Sequence, residues 1–167
     1  MSKSSKLWYA VYVKSRAEKK VAVEFEYESI DHYLPLIKKL KQWSDRKKWV
    51  EEPLFRSYIF VNIEQKDYFK VLQVPGTVKY ITFERKAVII PEEQINAIKY
   101  YLEESDPQNI DEAKWQKGIK VEVISGSMTG LIGELIEIQG KKTVKVEIEA
   151  IGSSLLIQVS KNKLKII

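Results

Sequence analysis

The stretch LWYAVYVKSRAEKKVAVEFEYESI, residues 7–30, sets the pattern for the first part of the chain. Its opening segment, Leu7–Val13, is apolar and aromatic, which predicts a buried β-strand. The continuation is ambiguous. Apolar residues alternate with glutamates over 23–28, as in a strand, whereas apolar residues at every fourth position from Ala17 are typical of a helix. Periodicity alone leaves both alternatives open for residues 17–30.

Strand-like and helix-like segments continue to about residue 100. Two strand-like arms flank Gln42-Trp43-Ser44-Asp45, which predicts a hairpin, and a strong strand follows over Ser57–Ile63. Helical spacing over Gln65–Gln73 ends before a Pro-Gly pair, and Pro91 opens a further helix. This mixed order predicts an α+β fold.

Residues 105–117 lack periodicity and contain Pro107, so we expect a linker there. Beyond them, short alternating segments are separated by glycines, which predicts about five short strands closed into a small barrel. We therefore expect a first domain over residues 1–104, the linker, and a barrel over residues 118–167.

The composition argues against several classes of function. The chain has no cysteine and one histidine, His32, which excludes disulfides, thiolate catalysis and multi-histidine metal sites. Its adjacent glutamates are interpreted as solvated, and its glycines lack phosphate-loop spacing. We expect no enzyme activity, cofactor or metal. No apolar run approaches the ~20 residues that span a bilayer, and no signal peptide is recognisable, so a cytoplasmic protein without a membrane partner is expected.

A cluster of basic residues on the predicted hairpin is the clearest local signal in the chain. Asp45 is the only acidic residue among them, and two tryptophans are interleaved. The cluster consists of Lys38, Lys39, Lys41, Arg46, Lys47 and Lys48. Such an arm suits a phosphate backbone or an acidic protein face. A soluble hairpin with half-buried tryptophans is the alternative.

Aromatic residues on the strands of the first domain exceed the needs of a core. The set comprises Trp8, Tyr9, Tyr12, Phe55, Tyr58, Phe60 and Phe83. A sheet covered by helices on one side would offer the aromatics of its other side as a docking surface. From spacing alone, docking and core packing remain equally open.

Four segments resemble the NusG/RfaH family. Residues 8–21 resemble the opening of its N-terminal domain, residues 52–61 its second signature, and Val74-Pro75-Gly76 its third region. Residues 118–133 are similar to a KOW motif, with Gly126, Met128, Gly130 and Gly133 at its marked positions. The resemblance implies an antiparallel-sheet α/β sandwich followed by an SH3-like barrel, with residues 17–30 as a helix.

Two departures from the family pattern indicate a specialised member. The family usually has Pro-Gly or Pro-Asn where this chain has Arg56-Ser57, and Pro-Phe where it has Ser127-Met128. Together with the basic hairpin, these departures resemble the RfaH-like and UpxY-type antiterminators, of which the latter serve surface-polysaccharide operons.

The resemblance also implies partners and site residues. Family members bind the clamp helices of bacterial RNA polymerase, bridge its DNA channel, and suppress pausing or termination. The residues that match the polymerase-binding depression by position are Tyr12, Phe55, Tyr58 and Phe83. Lys14, Arg16 and Lys20 lie where the family faces the non-template DNA strand. Asp67-Tyr68-Phe69-Lys70 replaces the polar run with which RfaH reaches the opposite polymerase lobe.

The KOW barrel of the family usually recruits ribosomal protein NusE, or the terminator Rho in housekeeping members. Met128 takes the place of an exposed aromatic residue, and we expect its thioether to fill a shallow apolar pocket of a partner. The β-branched alternation over Val144–Ile148 predicts a stable barrel in a monomeric protein, without refolding into helices. The alternatives are a housekeeping NusG coupled to Rho or the ribosome, and a KOW-type RNA- or ribosome-binding protein.

Overall fold

The computed structural model describes residues 5–103, 118–138 and 141–167. The Cα positions divide the chain into two compact units, Met1–Ile90 and Pro91–Ile167, which are considered in turn. The predicted linker over residues 105–117 lies outside the described residues, so the predicted domain boundaries stay a prediction.

Short strands and two α-helices make up the first unit. The strands are β1 (Leu7–Val13), β2 (His32–Tyr33), β3 (Leu36–Gln42), β4 (Lys47–Pro53), β5 (Tyr58–Ile63), β6 (Thr77–Tyr80), β7 (Thr82–Phe83), β8 (Lys86–Ala87) and β9 (Ile89–Ile90). The helices are α1 (Glu18–Tyr27) and α2 (Tyr68–Leu72), and a 3-10 turn over Gln65–Asp67 precedes α2. The predicted hairpin corresponds to β3 and β4.

The central sheet of this unit is antiparallel, in the order β2-β5-β1-β6, and β9 also pairs with β1. Strand β1 lies at its centre and pairs with β5 from Leu7↔Ile63 to Tyr12↔Tyr58. Two separate two-stranded ribbons, β3-β4 and β7-β8, complete the unit. This mixture of sheet and helix confirms the predicted α+β class.

Helix α1 covers one face of the central sheet. Its Val21 and Phe25 are buried in a core that also contains Val11, Ile59 and Val61 from β1 and β5. Of the apolar residues in the strand-like alternation, Val23 and Tyr27 are 54% and 80% exposed, whereas Phe25 is buried, so the three do not share one face as they would in a strand. The helical interpretation is thus confirmed, since only the spacing of a helix places Val21 and Phe25 together against the sheet.

The second unit is mainly β-structure. Helix α3 (Glu92–Glu103) precedes the strands β10 (Ile119–Val123), β11 (Ile132–Ile138), β12 (Lys141–Ile148), β13 (Ser153–Ile157) and β14 (Leu164–Ile166). The sheet order is β13-β12-β11-β10-β14, so the last strand returns beside the first. This is the strand order of the SH3-like barrel that the resemblance implied.

Glycines of the second unit allow close approach of its strands. A Cβ atom at Gly133 in β11 would lie 2.6 Å from the Val144 Cγ1 atom and 2.8 Å from the Lys145 carbonyl oxygen. Gly130, in the loop before β11, has a φ of +92°, a conformation that residues with a side chain rarely adopt.

Helix α3 packs on β12 and β13, and the Tyr100 hydroxyl donates to the Gln158 carbonyl oxygen at 2.7 Å.

Within the described ranges, the structure contains no helix that is both long and apolar enough to cross a membrane.

Shortening Phe25 tests how the first unit is held together. We expect Phe25→Ala to destabilise this unit by about 3–5 kcal/mol, because it leaves a cavity between α1 and the sheet. Tyr27→Ala, on the exposed side of the same helix, should change stability by less than about 0.5 kcal/mol. Hydrogen exchange of the β1 amides measures the first unit separately from the second. Equal protection in the two variants would contradict this packing.

Candidate functional site

Two tyrosines lie side by side on the face of the central sheet that α1 does not cover. Val11 in β1 and Ile59 in β5 point into the core, so the alternation of a strand sends their neighbours Tyr12 and Tyr58 to the opposite face. The two residues are register partners, and their rings meet edge to face with centroids 5.8 Å apart. Both remain partly exposed. This arrangement is a rigid aromatic surface with polar hydroxyl groups.

The same face is closed further along the strands. Ala10 and Phe60 are buried, and Phe55 packs edge to face on Phe60 with centroids 6.1 Å apart. Phe55 is only 8% exposed. Of the four residues that the resemblance assigned to polymerase binding, Phe55 therefore supports its neighbours and does not present a ring to solvent.

Phe83 presents the most exposed ring of the four predicted polymerase-binding residues. It lies in the β7-β8 ribbon, is 72% exposed, and precedes a turn in which Glu84 and Arg85 have positive φ angles. The ring contacts found in the described ranges join Tyr12 to Tyr58 and Phe55 to Phe60, but none joins Phe83 to these residues. The structure thus brings two of the four predicted rings into mutual contact.

A buried carboxylate positions the start of β5. Glu18, in the first turn of α1, is nearly inaccessible, and its Oε1 atom accepts the backbone N–H of Ser57 at 2.9 Å. Ser57 has a φ of 68°, in the left-handed region that favours glycine and, to a lesser degree, asparagine. This conformation is consistent with the Gly or Asn that the resemblance gives for this position.

The sequence did not reveal the role of Glu18. Its partner is 39 residues away along the chain, and a glutamate at a helix N-terminus ordinarily interacts with the helix dipole in solvent. In the sequence, the only indication of an unusual backbone here is that Ser57 stands where the resemblance gives Gly or Asn.

The three residues assigned to the non-template strand are all exposed. Lys14 directly follows β1, and its N–H donates to the Gly76 carbonyl oxygen at 2.9 Å. Arg16 lies in the turn before α1 with a φ of 64°, and Lys20 is on α1. Arg16 also lines an open cavity of about 510 Å³ together with Lys19 and Arg56.

The six basic residues of the hairpin are exposed on β3, β4 and their connecting turn. Glu52 binds two of them: Lys41 forms a direct ion pair, and the Lys39 Nζ atom lies 3.7 Å from the Glu52 Oε2 atom. The hydrogen bond from Lys41, aided by the charges of Lys41, Lys39 and Arg56, lowers the pKa of Glu52 from its usual value. The base of the hairpin is thus partly neutralised.

The structure also shows the surroundings of Met128 and His32. Met128 is buried, so the expectation that its thioether is available to a partner is wrong. The loop after β10 turns the side chain inward, and the Leu131 N–H donates to the Met128 carbonyl oxygen at 2.9 Å. His32 is structural: its ring packs near Phe25, and its Nδ1 atom lies 2.9 Å from the Ile30 carbonyl oxygen.

The segment that replaces the polar run of RfaH borders an open groove of about 500 Å³. Tyr68 stacks on Tyr80 with centroids 4.2 Å apart, while Phe69 is exposed at the edge of the groove. The Tyr80 hydroxyl donates to the Tyr68 carbonyl oxygen at 2.8 Å, and burial raises the pKa of Tyr80.

Within the described ranges, no group of acidic or histidine residues could hold a metal ion.

Comparisons with known proteins agree with this architecture. A sequence profile described as "Transcription termination factor nusG" matches residues 6–99. The transcription termination/antitermination protein NusG of Rickettsia felis is 25% identical over 175 residues, covering 98% of this chain and 91% of that protein. A solved structure concerning domain interaction in Thermotoga maritima NusG has a TM-score of 0.52 at 22% identity and covers 97% of each chain. The structural likeness supports the fold.

Replacing Ser57 tests the strain at the start of β5. We expect Ser57→Gly to stabilise the first unit by about 0.5–1 kcal/mol, because glycine adopts the left-handed conformation without steric cost. Ser57→Ala removes the hydroxyl but keeps the Cβ atom, so it should give no such gain. Denaturant unfolding of the two variants measures the difference. An equal gain from alanine would show that the hydroxyl, not the backbone, is unfavourable.

Proposed function

The chain belongs to the NusG family of transcription termination factors, and on this premise we propose that it is an elongation and antitermination factor acting on bacterial RNA polymerase. The observation that carries the proposal is the partly exposed pair of Tyr12 and Tyr58 on the uncovered face of the sheet. This pair, together with the exposed Phe83 of the β7-β8 ribbon, is the proposed contact for the clamp helices.

The chemistry of the pair suits a helical partner. Tyrosine rings supply a large apolar area at low entropic cost, and their hydroxyl groups bond to polar groups at the rim. Phe55 and Phe60 are buried and pack edge to face further along the same face of the sheet, where they border the tyrosine pair. A factor anchored in this way to the clamp, and to the opposite side of the DNA channel, disfavours clamp opening and so suppresses pausing or termination.

The proposed DNA contact is electrostatic. Lys14, Arg16 and Lys20 are exposed on one end of β1, the following turn and α1. Lysine and arginine at such positions bind phosphates without reading bases, and each neutralised phosphate releases counterions. Within the proposed function, these residues guide the non-template strand.

We further propose a specialised role at particular operons, such as surface-polysaccharide loci, as in UpxY-type factors. The basic hairpin, the Ser57 departure and the burial of Met128 support this role over a housekeeping one. The second unit is the proposed contact for NusE, through residues other than Met128. Co-purification with Rho distinguishes the two roles, since a specialised factor of this kind is expected not to retain Rho. The proposal places the protein in the cytoplasm with the transcription machinery.

Tyr58→Ala tests the polymerase contact directly. We expect binding to core RNA polymerase to weaken about tenfold or more, because aromatic residues at the centre of an interface carry much of its energy. Tyr27→Ala removes an equally large exposed ring from α1 and should leave binding unchanged. Titration of labelled polymerase measures both. Full retention by Tyr58→Ala and Tyr12→Ala together would remove the proposed docking surface.

Charge removal tests the DNA contact. Replacing Lys14, Arg16 and Lys20 with glutamine should weaken the salt dependence of binding to an elongation complex. The slope of log K against log salt concentration should fall by about 0.7 for each single-strand phosphate contact that is lost. The control replaces Lys161, Lys163 and Lys165 of the second unit with glutamine, which removes the same charge. An equal change in both variants would contradict a local phosphate site.

A further inference from the structure

The positive charge of this protein is concentrated at the end of one hairpin. Residues 38–49 contain six basic side chains and one acidic side chain, a net charge of +5. The whole chain also has a net charge of +5, so the remaining residues are neutral in sum. A mildly basic composition therefore conceals a strongly basic arm, which creates a local positive potential.

The strand register divides the arm into two faces of different character. Partners directly opposite share a face, and the pairs alternate between the two faces. One face, here called the Trp43 face, carries Lys39, Lys41, Trp43, Arg46, Lys48, Val50 and Glu52. The other, the Trp49 face, carries Lys38, Leu40, Gln42, Lys47, Trp49 and Glu51. Each face thus has one tryptophan, but the Trp43 face has twice as many cations.

The Trp43 face holds like charges together without compensation at its tip. Lys41 and Lys48 are register partners, an arrangement that is unfavourable in a two-stranded ribbon. Glu52 neutralises Lys41 and Lys39 toward the base. Arg46 and Lys48 lie beyond the ion-pair distance of any carboxylate in the described ranges. A polyanion bound there would relieve this repulsion.

An exposed indole lies among these cations. Trp43 is 55% exposed at the start of the turn, compared with 67% for Trp49 on the other face, and the Trp43 backbone N–H donates to the Arg46 carbonyl oxygen at 2.7 Å. This hydrogen bond fixes the backbone beneath the ring, so the indole is presented on a defined support. An aromatic ring flanked by cations is the arrangement on which unpaired bases stack while their phosphates are neutralised.

The Trp43 face continues into the basic surface beside α1. Lys41 lines the same open cavity as Arg16, Lys19 and Arg56. The Lys19 Nζ atom donates to the Glu51 carbonyl oxygen at 2.7 Å, which ties α1 to the base of the hairpin. Glu18 and Glu52 also line this cavity, but its four cations outnumber them, so a flexible strand could pass from the hairpin tip to Arg16 over a surface of net positive charge.

We propose that the Trp43 face of the β3-β4 hairpin is a binding site for single-stranded nucleic acid, with Trp43 stacking on a base and Arg46 and Lys48 holding phosphates. The site goes beyond the proposed polymerase contact and does not require polymerase. A single strand is favoured over a duplex because only unpaired bases expose the faces that an indole can stack on. It is favoured over an acidic protein because carboxylates would leave the exposed ring without a partner.

The full-length protein is tested with fluorescently labelled oligouridylate, oligothymidylate and a DNA duplex of equal length, using anisotropy without polymerase. We expect both single strands to bind more tightly than the duplex, and the RNA and DNA arms identify the preferred sugar. Trp43→Ala should weaken single-strand binding about tenfold, whereas Trp49→Ala on the opposite face should change it less than about twofold. Trp43→Phe should retain most of the binding, since it keeps a ring for stacking.

A pair of charge-matched variants separates a site from general attraction. Arg46→Gln with Lys48→Gln removes two charges from the Trp43 face, and Lys38→Gln with Lys47→Gln removes two from the Trp49 face. We expect the first pair to weaken single-strand binding about tenfold more than the second. Equal losses from both pairs, tighter binding of the duplex, or the absence of single-strand binding by the unaltered protein would each overturn the proposal. Loss of polymerase binding in Tyr58→Ala leaves this result unaffected, so the two proposals fail separately.

Discussion

The antiparallel pairing of β1 with β5 is the constraint on which the aromatic surface depends. Its register places Val11 and Ile59 in the core under α1 and leaves Tyr12 and Tyr58 as neighbours on the other face. A slip of one residue would exchange the two sets, burying tyrosine hydroxyls and exposing aliphatic side chains. The same constraint that stabilises the core therefore determines which rings can meet a partner.

Helix α1 joins the candidate surfaces to one another. Through Glu18 it holds the backbone of Ser57, one residue before Tyr58, and through Lys19 it holds the base of the hairpin at Glu51. Arg16, in the turn before the helix, faces the cavity between these regions. The aromatic pair, the proposed DNA contact and the basic arm are thus all connected to one element, and a displacement of α1 is expected to move all three.

The two units distribute charge differently, and this bears on function. The hairpin carries a net charge of +5, while the second unit, Pro91–Ile167, has ten basic and twelve acidic side chains, a net charge of −2. Like charges that lie close together on the hairpin repel one another, and this repulsion destabilises the hairpin of the unbound protein. Retaining these charges is understandable where a polyanion is bound, which connects the electrostatics of the arm to a transcription factor that works beside nucleic acid.

The sequence alone determined the strand of Leu7–Val13, the hairpin, the helix after Pro91 and the run of short strands in the second unit, because periodicity and turn residues act locally. The SH3-like barrel was implied by the resemblance. Resemblance was needed to choose a helix for residues 17–30, where two periodicities coincided. Only the tertiary structure decided that Phe55 and Met128 are buried and that the Ser57 N–H donates to Glu18. Burial depends on everything that packs around a side chain, and Glu18 and Ser57 are 39 residues apart, so no local pattern carries that information.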